Sequence, residues 1–358
     1  MDMSQLKVES NMTTANTTLQ EKHPEIVEVW EHNFEDEMAK IHELIDKYNY
    51  VAMDTEFPGV YVQGDHITGY TLIKSNVDIL KLIQVGVTLA DEHGNCPSPV
   101  STWQFNLRFD LASDYHAPDS IAMLKEAGIN FEELAEKGID PFHFADEMMS
   151  SGMVLNEDIH WITFHGAFDF AYFIKVLSNN KLPSTLEKFK SLLKIYFPSV
   201  VDIKILLKEI TDLKNGALAK LARDLDLKRI GTMHQAGSDA EITLRCFFKL
   251  KEQYFELGIK DKLWNKVFGL SGEYQAPPAL PSQTQVAQQT TMPMAHDMQR
   301  MNMYNPYPHA QSMNYYGFNG NDMQNSYYFN HLELPMIYPT MNANLQTKQP
   351  EYSATFKF

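Results

Sequence analysis

The chain is poor in cysteine and has no long apolar segment. Its 358 residues include only two cysteines, Cys96 and Cys246, which are too few for a disulfide framework and form no Cys-x-x-Cys or Cys/His cluster for zinc. No run approaches the roughly 20 apolar residues of a membrane span, and the first residues lack the apolar core of a signal peptide. We therefore expect a soluble intracellular protein that makes no membrane contact.

Basic residues are also scarce, since 30 Lys and Arg stand against 46 Asp and Glu and give a net charge of −16. This balance excludes a nucleic-acid-binding surface spread over the whole protein, because phosphate attraction requires clustered Lys and Arg. Bound cations would nevertheless let an acidic cleft hold a phosphodiester. Five scattered bases could line such a cleft, although a solvated helix face is the simpler explanation for most of them: Lys214, Lys220, Arg223, Lys228 and Arg229.

Composition divides the chain into three parts. Residues 1–21 are polar and rich in Thr and Asn, and residues 273–358 are rich in Pro, Gln, Asn, Met and Tyr without a helical or alternating apolar pattern. Both segments are predicted to be disordered, because they cannot bury enough apolar surface to fold. The C-terminal tail either recruits the protein to condensates or is an inert extension. Residues 22–272 remain as one folded domain with enough chain for a full hydrophobic core.

An acidic pair follows an early apolar run. Val51-Ala52-Met53 leads into Asp54-Thr55-Glu56, and in a strand Asp54 and Glu56 would share one face. Carboxylate oxygens are suitable ligands for Mg²⁺ or Mn²⁺. Taken alone, such a pair is more often a solvated strand edge. A two-metal site for phosphodiester hydrolysis needs further carboxylates.

Asp169 is the first further candidate. The segment 161–164 is apolar and β-prone, Gly166-Ala167 can turn, and apolar residues follow at helical spacing. Asp169 is therefore predicted where a helix begins, a position at which an isolated Asp is usually a helix cap.

A second acid lies in the stretch His-Gln-Ala-Gly-Ser-Asp at 234–239. Ser238 and Glu241 could form a Ser-x-x-Glu capping box around Asp239, or the helix could start nearer His234. Histidine is the residue type most often used as a general base, although an isolated histidine after a loop, such as His234, is usually structural.

The order of these elements resembles the DEDD exonucleases, in the subgroup whose base is histidine. Five segments are similar to the Caf/Pop family of poly(A) deadenylases, and the resemblance extends from about residue 26 to about residue 270. They are Met-Asp-Thr-Glu-Phe-Pro-Gly at 53–59, Leu-Lys-Leu-Ile-Gln-Val-Gly at 80–86, Ser-Thr-Trp-Gln-Phe-Asn at 101–106, Phe-Asp-Phe at 168–170 and His-Gln-Ala-Gly-Ser-Asp at 234–239.

The resemblance implies a 3′-to-5′ exoribonuclease that shortens messenger RNA poly(A) tails and releases 5′-AMP. Position by position, Asp54, Glu56, Asp169 and Asp239 match the family's ligands for two divalent ions, Mg²⁺ or Mn²⁺, and His234 matches its general base. The implied partners are poly(A) RNA, the CCR-NOT scaffold subunit, a second deadenylase and, in some lineages, Tob/BTG-type adaptors. The implied location is the cytoplasm, with the nucleus as a second site.

Two segments depart from the family pattern. Residues 165–172 read His-Gly-Ala-Phe-Asp-Phe-Ala-Tyr where relatives tend to read His-Ser-Gly-Tyr-Asp-Phe-Gly-Tyr, so that Ala167 replaces a glycine and Phe168 lacks a hydroxyl. Asn215-Gly216 replaces paired glycines, a change that we expect to be benign. The first departure leaves two alternatives open: a catalytically weak docking subunit of the complex, or a DEDD exonuclease of another specificity.

The implied fold is α/β, a ribonuclease-H-like mixed sheet flanked by helices, followed by the disordered C-terminal tail. The sequence predicts strands at Val51–Phe57, Ile79–Leu89 and Thr102–Phe109, a short strand at Ser199–Ile203, and mainly helices after Asp119. Three residues near these elements have no assigned catalytic role. Asp202 is predicted to be structural, His165 is either a structural histidine or a contact near the site, and Phe57 is either a base-stacking residue or part of the core.

Overall fold

The structure is a computed structural model that describes residues 25–64, 67–213 and 216–270. The segments predicted to be disordered, 1–21 and 273–358, lie outside these residues, as do Lys214 and Asn215. Within the described residues, no helix combines the length and apolar character that crossing a membrane requires.

A six-stranded mixed sheet forms the centre of the described domain, in the order β1-β4-β3-β2-β5-β6. Its strands are β1 (Glu25–Val29), β2 (Tyr50–Glu56), β3 (Gln84–Ala90), β4 (Val100–Asn106), β5 (His160–Thr163) and β6 (Ser199–Asp202). The three strands β2, β3 and β4 are antiparallel neighbours, whereas β1 runs parallel to β4, β5 to β2 and β6 to β5.

Helices cover both faces of the sheet. They are α1 (Phe34–Leu44), α2 (Gly69–Val77), α3 (Pro118–Glu126), α4 (Phe131–Lys137), α5 (Pro141–Ser150), α6 (Ala167–Ser178), α7 (Leu186–Tyr196), α8 (Ile203–Leu206), α9 (Leu218–Asp224) and α10 (Ala236–Tyr254). Side chains of α1, α2, α5, α6 and α7 pack into one core, and those of α8, α9 and α10 pack into a second core. Every residue of β3 is buried, as expected for a strand covered on both faces.

The alternation of side chains along β2 determines which core each residue enters. Val51 and Met53 lie in the core that contains α6, whereas Ala52 lies in the core that contains α10. By the same period of two, Asp54 and Glu56 face α10, and Thr55 faces the side of α6. The acidic pair therefore shares a face, as the sequence predicts.

The observed strands differ from the predicted ones at their ends. β3 begins at Gln84 rather than Ile79, and β4 ends at Asn106 rather than Phe109. Beyond Asn106 the chain leaves the sheet because the Arg108 backbone N–H donates to the Ile139 carbonyl oxygen at 2.9 Å. β1 is not among the predicted strands, and its partner in the described sheet is β4, which is distant along the chain.

Candidate active site

Acidic side chains from β2 and α10 meet at the end of β2. One potential ligand atom from each of Glu56, His234 and Asp239 lies within 4.8 Å of the other two. Glu56 and Asp239 are buried, with 8% and 7% of their surfaces exposed, and His234 is partly exposed. The structure thus brings together residues that are far apart in the sequence.

Asp169 joins this group from the other helix layer. It is the third residue of α6, is 7% exposed, and its Oδ1 accepts a hydrogen bond from Thr55 Oγ1 at 2.5 Å. The negative charge of Asp169 also raises the pKa of Asp54. Thr55 therefore links Asp169 to the strand that carries the other two acids, and the predicted start of a helix close to Asp169 is confirmed.

Burial and mutual repulsion make this cluster unfavourable without a compensating cation. Burial, followed by the charges of Asp239, Asp169 and Glu56, raises the pKa of Asp54 well above its ordinary value. Burial and the charges of Asp239 and Asp169 do the same for Glu56. Burial also raises the pKa of Asp169 to about 7, against the hydrogen bond from Thr55. A set of buried carboxylates that repel one another is a suitable site for hard divalent cations.

Arg229 is the cation that the structure places at this cluster. Its Nη1 lies 2.7 Å from Asp239 Oδ1 and donates to Ser238 Oγ at 3.1 Å, and its charge lowers the pKa values of Asp54 and Glu56. Its Nη2 is buried without a hydrogen-bond partner among the described residues. Arg229 is one of the five bases that could line an acidic cleft according to the sequence, and its contact with Asp239 agrees with that alternative rather than with a solvated helix face. Lys220, in contrast, pairs with Asp224 on α9, consistent with a solvated helix face.

The backbone at His234 adopts a left-handed conformation, with φ of 64°. Its N–H donates to Asp239 Oδ2 at 2.8 Å, so that both oxygens of Asp239 are held, one by this N–H and the other by Arg229. Few non-glycine residues adopt positive φ, and histidine is one of the types that do so more often than average. The turn therefore fixes His234 and Asp239 relative to each other.

The start of α10 differs from one of the two predicted arrangements. The helix begins at Ala236 with Gln235 as N-cap, so the start nearer His234 is right and the Ser-x-x-Glu capping box is wrong. Ser238 lies inside the first turn, where its Oγ donates to the Ile230 carbonyl oxygen at 2.6 Å. Glu241 instead forms an ion pair with Arg245 at 3.2 Å.

The altered segment before Asp169 has an unstrained backbone at the substituted position. Ala167 is the buried first residue of α6, and the positive φ of 70° lies at His165 instead. The Phe168 ring stacks on Phe57, with centroids 5.3 Å apart, and Phe57 also stacks on the buried Tyr172 at 4.9 Å. Phe57 therefore packs against the core, and replacing glycine with Ala167 requires no left-handed residue.

Asp202 fastens the loop that precedes α6. Its carboxylate accepts backbone N–H groups from His165 and Gly166 at 3.0 Å each, and from Lys204 and Phe268 at 2.9 Å each. Burial raises the pKa of Asp202 to about 6, although the four N–H donors favour the charged form. The predicted structural role is confirmed. The ring of His165 packs edge-to-face on Phe268 at 4.7 Å, and burial lowers its pKa to about 4.

Comparisons with known proteins show the family to which this chain belongs. The model of the CAF1 family ribonuclease matches residues 29–157 and 152–247. A protein of Arabidopsis thaliana named probable CCR4-associated factor 1 homolog 10 is 45% identical over 267 residues, covering 72% of this chain and 96% of its own. Poly(A) ribonuclease pop2 of Schizosaccharomyces pombe is 43% identical over 251 residues, covering 68% and 75%.

Solved structures show the same relationship. The S. pombe Pop2p structure in its Mg²⁺- and Mn²⁺-bound form superimposes with a TM-score of 0.65 at 44% identity, covering 68% of this chain and 99% of that one. A yeast CAF1 chain co-crystallised with the NOT1 MIF4G domain gives a TM-score of 0.61 at 32% identity, covering 68% and 96%. The predicted ribonuclease-H-like mixed α/β fold is thereby confirmed, and the chain belongs to the CAF1 family of ribonucleases.

Proposed function

We propose that this ribonuclease is a 3′-to-5′ exonuclease that shortens messenger RNA poly(A) tails and releases 5′-AMP. The observation that carries the proposal is the convergence of acids from β2, α6 and α10 beside a histidine in a turn with positive φ. Support for the substrate comes from the relative named poly(A) ribonuclease, which is 43% identical over 251 residues.

The acids Asp54, Glu56, Asp169 and Asp239 would hold two divalent cations, Mg²⁺ or Mn²⁺. Their fit rests on the donor set itself, in which buried carboxylates repel one another and only partial compensation comes from Arg229. A homologous structure contains both metals. When bound, such cations lower the pKa of coordinated water and stabilise the charge on the leaving oxygen.

His234 is assigned the general base, which accepts a proton from the attacking water on a ring nitrogen. Its turn is anchored by the 2.8 Å hydrogen bond from its backbone N–H to Asp239, so the imidazole stays beside the carboxylates. Arg229 contacts the same cluster through Nη1, its Nη2 has no hydrogen-bond partner among the described residues, and a guanidinium readily binds the oxygens of a phosphate. These two residues would orient water and substrate about the acids.

We also propose that the protein works within a CCR-NOT assembly. Support comes from the yeast CAF1 relative that was co-crystallised with the NOT1 MIF4G domain. The resemblance adds a second deadenylase and Tob/BTG-type adaptors to the proposed partners, and cytoplasm and nucleus as the proposed locations. The alternative of a weak docking subunit depended on a damaged loop before Asp169. The helical position of Ala167 gives that alternative no support.

The decisive experiment follows the digestion of a 5′-labelled RNA that ends in oligo(A), with Mg²⁺, Mn²⁺ or EDTA. Asp54→Asn removes one charge while keeping the side-chain shape, and Asp146→Asn on the exposed face of α5 is its matched control. We expect a metal-dependent ladder that shortens from the 3′ end, is lost in Asp54→Asn and is unchanged in Asp146→Asn.

Substrate class is decided by parallel digestions of mixed-sequence RNA and DNA. Slowing at the last adenosine supports a deadenylase. Equal rates on all three polymers would replace it with a DEDD exonuclease of broad specificity. Absence of a ladder from folded protein under every metal condition would contradict an intrinsic nuclease activity.

A further inference from the structure

A hydrogen-bonded group of side chains, here called the amide cluster, lies beside the carboxylates. It consists of Gln84, Gln104, Asn106, Gln235 and Glu28. Gln84, Gln104 and Asn106 are 2%, 2% and 1% exposed. Two of the family-like segments, at 80–86 and 101–106, supply these three residues but no catalytic acid.

Residues of the amide cluster lie directly across the sheet from the acids of β2, in two rows of paired residues that run from β2 over β3 to β4. Glu56 pairs with Gln84, which pairs with Asn106, and Asp54 pairs with Gly86, which pairs with Gln104. Directly paired residues of neighbouring strands project from the same face of a sheet. The amides therefore lie on the face that carries the acids and α10.

Side chains on this face of the sheet accept hydrogen bonds from the first N–H groups of α10, which its own N-cap residue does not do. Gln235 is the N-cap residue, yet its side chain makes no capping hydrogen bond. Instead, Gln104 Oε1 accepts the Gly237 N–H at 2.8 Å and Gln84 Oε1 accepts the Ala236 N–H at 3.4 Å. These are two of the N–H groups that have no partner within a helix.

Gly86 lets the first turn of α10 rest on the backbone of β3. A Cβ atom added at Gly86 would lie 1.9 Å from the Ala236 carbonyl oxygen, well inside contact distance. The helix start is therefore positioned by a close approach at Gly86 together with the amide oxygens at Gln84 and Gln104. All three contacts lie within three residues of His234 or Asp239.

The orientation of the Gln104 amide is determined by groups that can only accept. Gln104 Nε2 donates to Glu28 Oε1 at 2.9 Å, and Asn106 Nδ2 donates to Glu28 Oε2 at 2.8 Å. Gln235 Nε2 donates to the Ala127 carbonyl oxygen at 3.0 Å, so its Oε1 is left to accept from Gln104 at 2.7 Å. An ionised carboxylate and a carbonyl cannot donate, so Gln104 must direct Oε1 at Gly237.

We infer that Gln104 is a positioning residue of the active site, which holds the start of α10 so that His234 and Asp239 meet Asp54 and Glu56. Gln104 acts through the Gly237 N–H, and its other side-chain hydrogen bonds within the described residues go to Glu28 and Gln235 rather than to the four candidate metal ligands. Its effect on catalysis rests on the proposed function, whereas its effect on the helix start does not.

The test replaces Gln104 with Met, which preserves length and apolar volume but removes the acceptor. Thr88→Val is the matched control: it lies on β3, is 1% exposed, and loses its buried 3.0 Å hydrogen bond to Thr102, a contact that involves neither the Ala236 nor the Gly237 N–H. Hydrogen exchange of a peptide spanning 230–240, Mn²⁺ binding by electron paramagnetic resonance, and kcat and KM on oligo(A) RNA are measured for both.

We expect faster exchange in this peptide and a loss of Mn²⁺ affinity and kcat of about 10- to 100-fold in Gln104→Met, with KM little changed. Thr88→Val should retain wild-type exchange, affinity and kcat. Should Gln104→Met not fold, Glu28→Gln at an exposed position is the second variant. It replaces a group that can only accept hydrogen bonds with one that can also donate, so the Gln104 amide is no longer held in one orientation. Exchange, Mn²⁺ affinity and kcat should change in the same direction as in Gln104→Met, by a smaller amount.

Unchanged exchange and Mn²⁺ binding in Gln104→Met, or equal losses in Thr88→Val, would overturn the inference. If the wild-type protein degrades no RNA, the proposed function fails, but the exchange measurement still decides whether Gln104 fixes the start of α10. If exchange responds while kcat does not, the positioning role is overturned even though the contact is real.

Discussion

At the scale of single residues, two of the four acids are held in place by identified polar partners. Asp239 gives one oxygen to Arg229 and the other to the His234 N–H, and Asp169 is tied to Thr55. The sequence is enough to identify five residues as candidates for the site: Asp54, Glu56, Asp169, His234 and Asp239. Their tethers could not be predicted, because Thr55 and Arg229 become important only through the fold. The catalytic roles of the five residues stay predictions.

His234 has two chemically distinct roles open to it, base or ligand, because its ring lies within ligand distance of Glu56 and Asp239. We expect His234→Ala to lower kcat by about 10²–10⁴-fold, as loss of a general base does, with Mn²⁺ affinity retained. Steady-state kinetics and Mn²⁺ titration of the same preparation measure both. A parallel fall in Mn²⁺ affinity would assign His234 to the metal instead.

At the scale of secondary-structure elements, the three strands β2, β3 and β4 were predicted because they are apolar runs with polar turns between β3 and β4. The predicted start of β3 and the predicted end of β4 differ from the observed ones. β1 was not predicted, because its five residues form a strand through parallel pairing with β4, which is distant along the chain. The amide cluster was equally beyond prediction. It depends on strand register and on the residue at which α10 begins, neither of which a local pattern determines.

Asp202 is the link between β6, the loop before α6 and the segment at Phe268. In Asp202→Asn, the amide keeps one acceptor oxygen, so that two of the four backbone N–H groups lose their partner. We expect a loss of about 1–3 kcal/mol of unfolding free energy for each N–H left unpaired. Urea denaturation measures it. The control Asp140→Asn, at the partly exposed N-cap of α5, should be nearly neutral because Asn also caps helices and the surface ion pair with Arg108 that it loses contributes little. Equal stability of the two variants would contradict the role.

His143 on α5 joins that helix to the segment after β1. The hydrogen bond between its Nδ1 and Glu31, 2.9 Å long, raises its pKa, with smaller contributions from Glu147 and Glu35 and against burial. Because the folded-state pKa exceeds the ordinary 6.5, the stabilisation is fully present below pH 6.5 and is lost as pH rises through the folded-state value.

The corresponding measurement compares unfolding free energies of the wild type and His143→Gln from pH 5 to pH 9. We expect the difference in unfolding free energy between them to shrink as pH rises. Glu31→Gln weakens the same hydrogen bond by removing its negative charge, so the difference between the wild type and Glu31→Gln should also shrink as pH rises. A difference that stays constant over this range would show that His143 stabilises the protein by packing alone, for example through its edge-to-face contact with Phe34 at 5.0 Å.

At the scale of the whole molecule, the acids come from both helix layers and from the strand between them. Cations bound there would join β2, α6 and α10, which otherwise approach one another with like charges. We therefore expect Mg²⁺ or Mn²⁺ to raise the thermal unfolding midpoint, by the equivalent of about 2.7 kcal/mol at one hundred times the dissociation constant. Calorimetry with and without EDTA measures the shift. An equal shift in Asp54→Asn would place the stabilising ions elsewhere.

The parallel pairing of β1 with β4 also has a consequence for the order of assembly on the ribosome. Val27 has no strand partner until Trp103 has been synthesised, and α10, which covers the central strands, emerges later still. A nascent chain that ends before α10 can contain all six strands, with Glu28 and Gln104 in place, but it lacks Asp239 and therefore a complete acid cluster. Catalytic competence is therefore one of the last properties that translation confers on this domain.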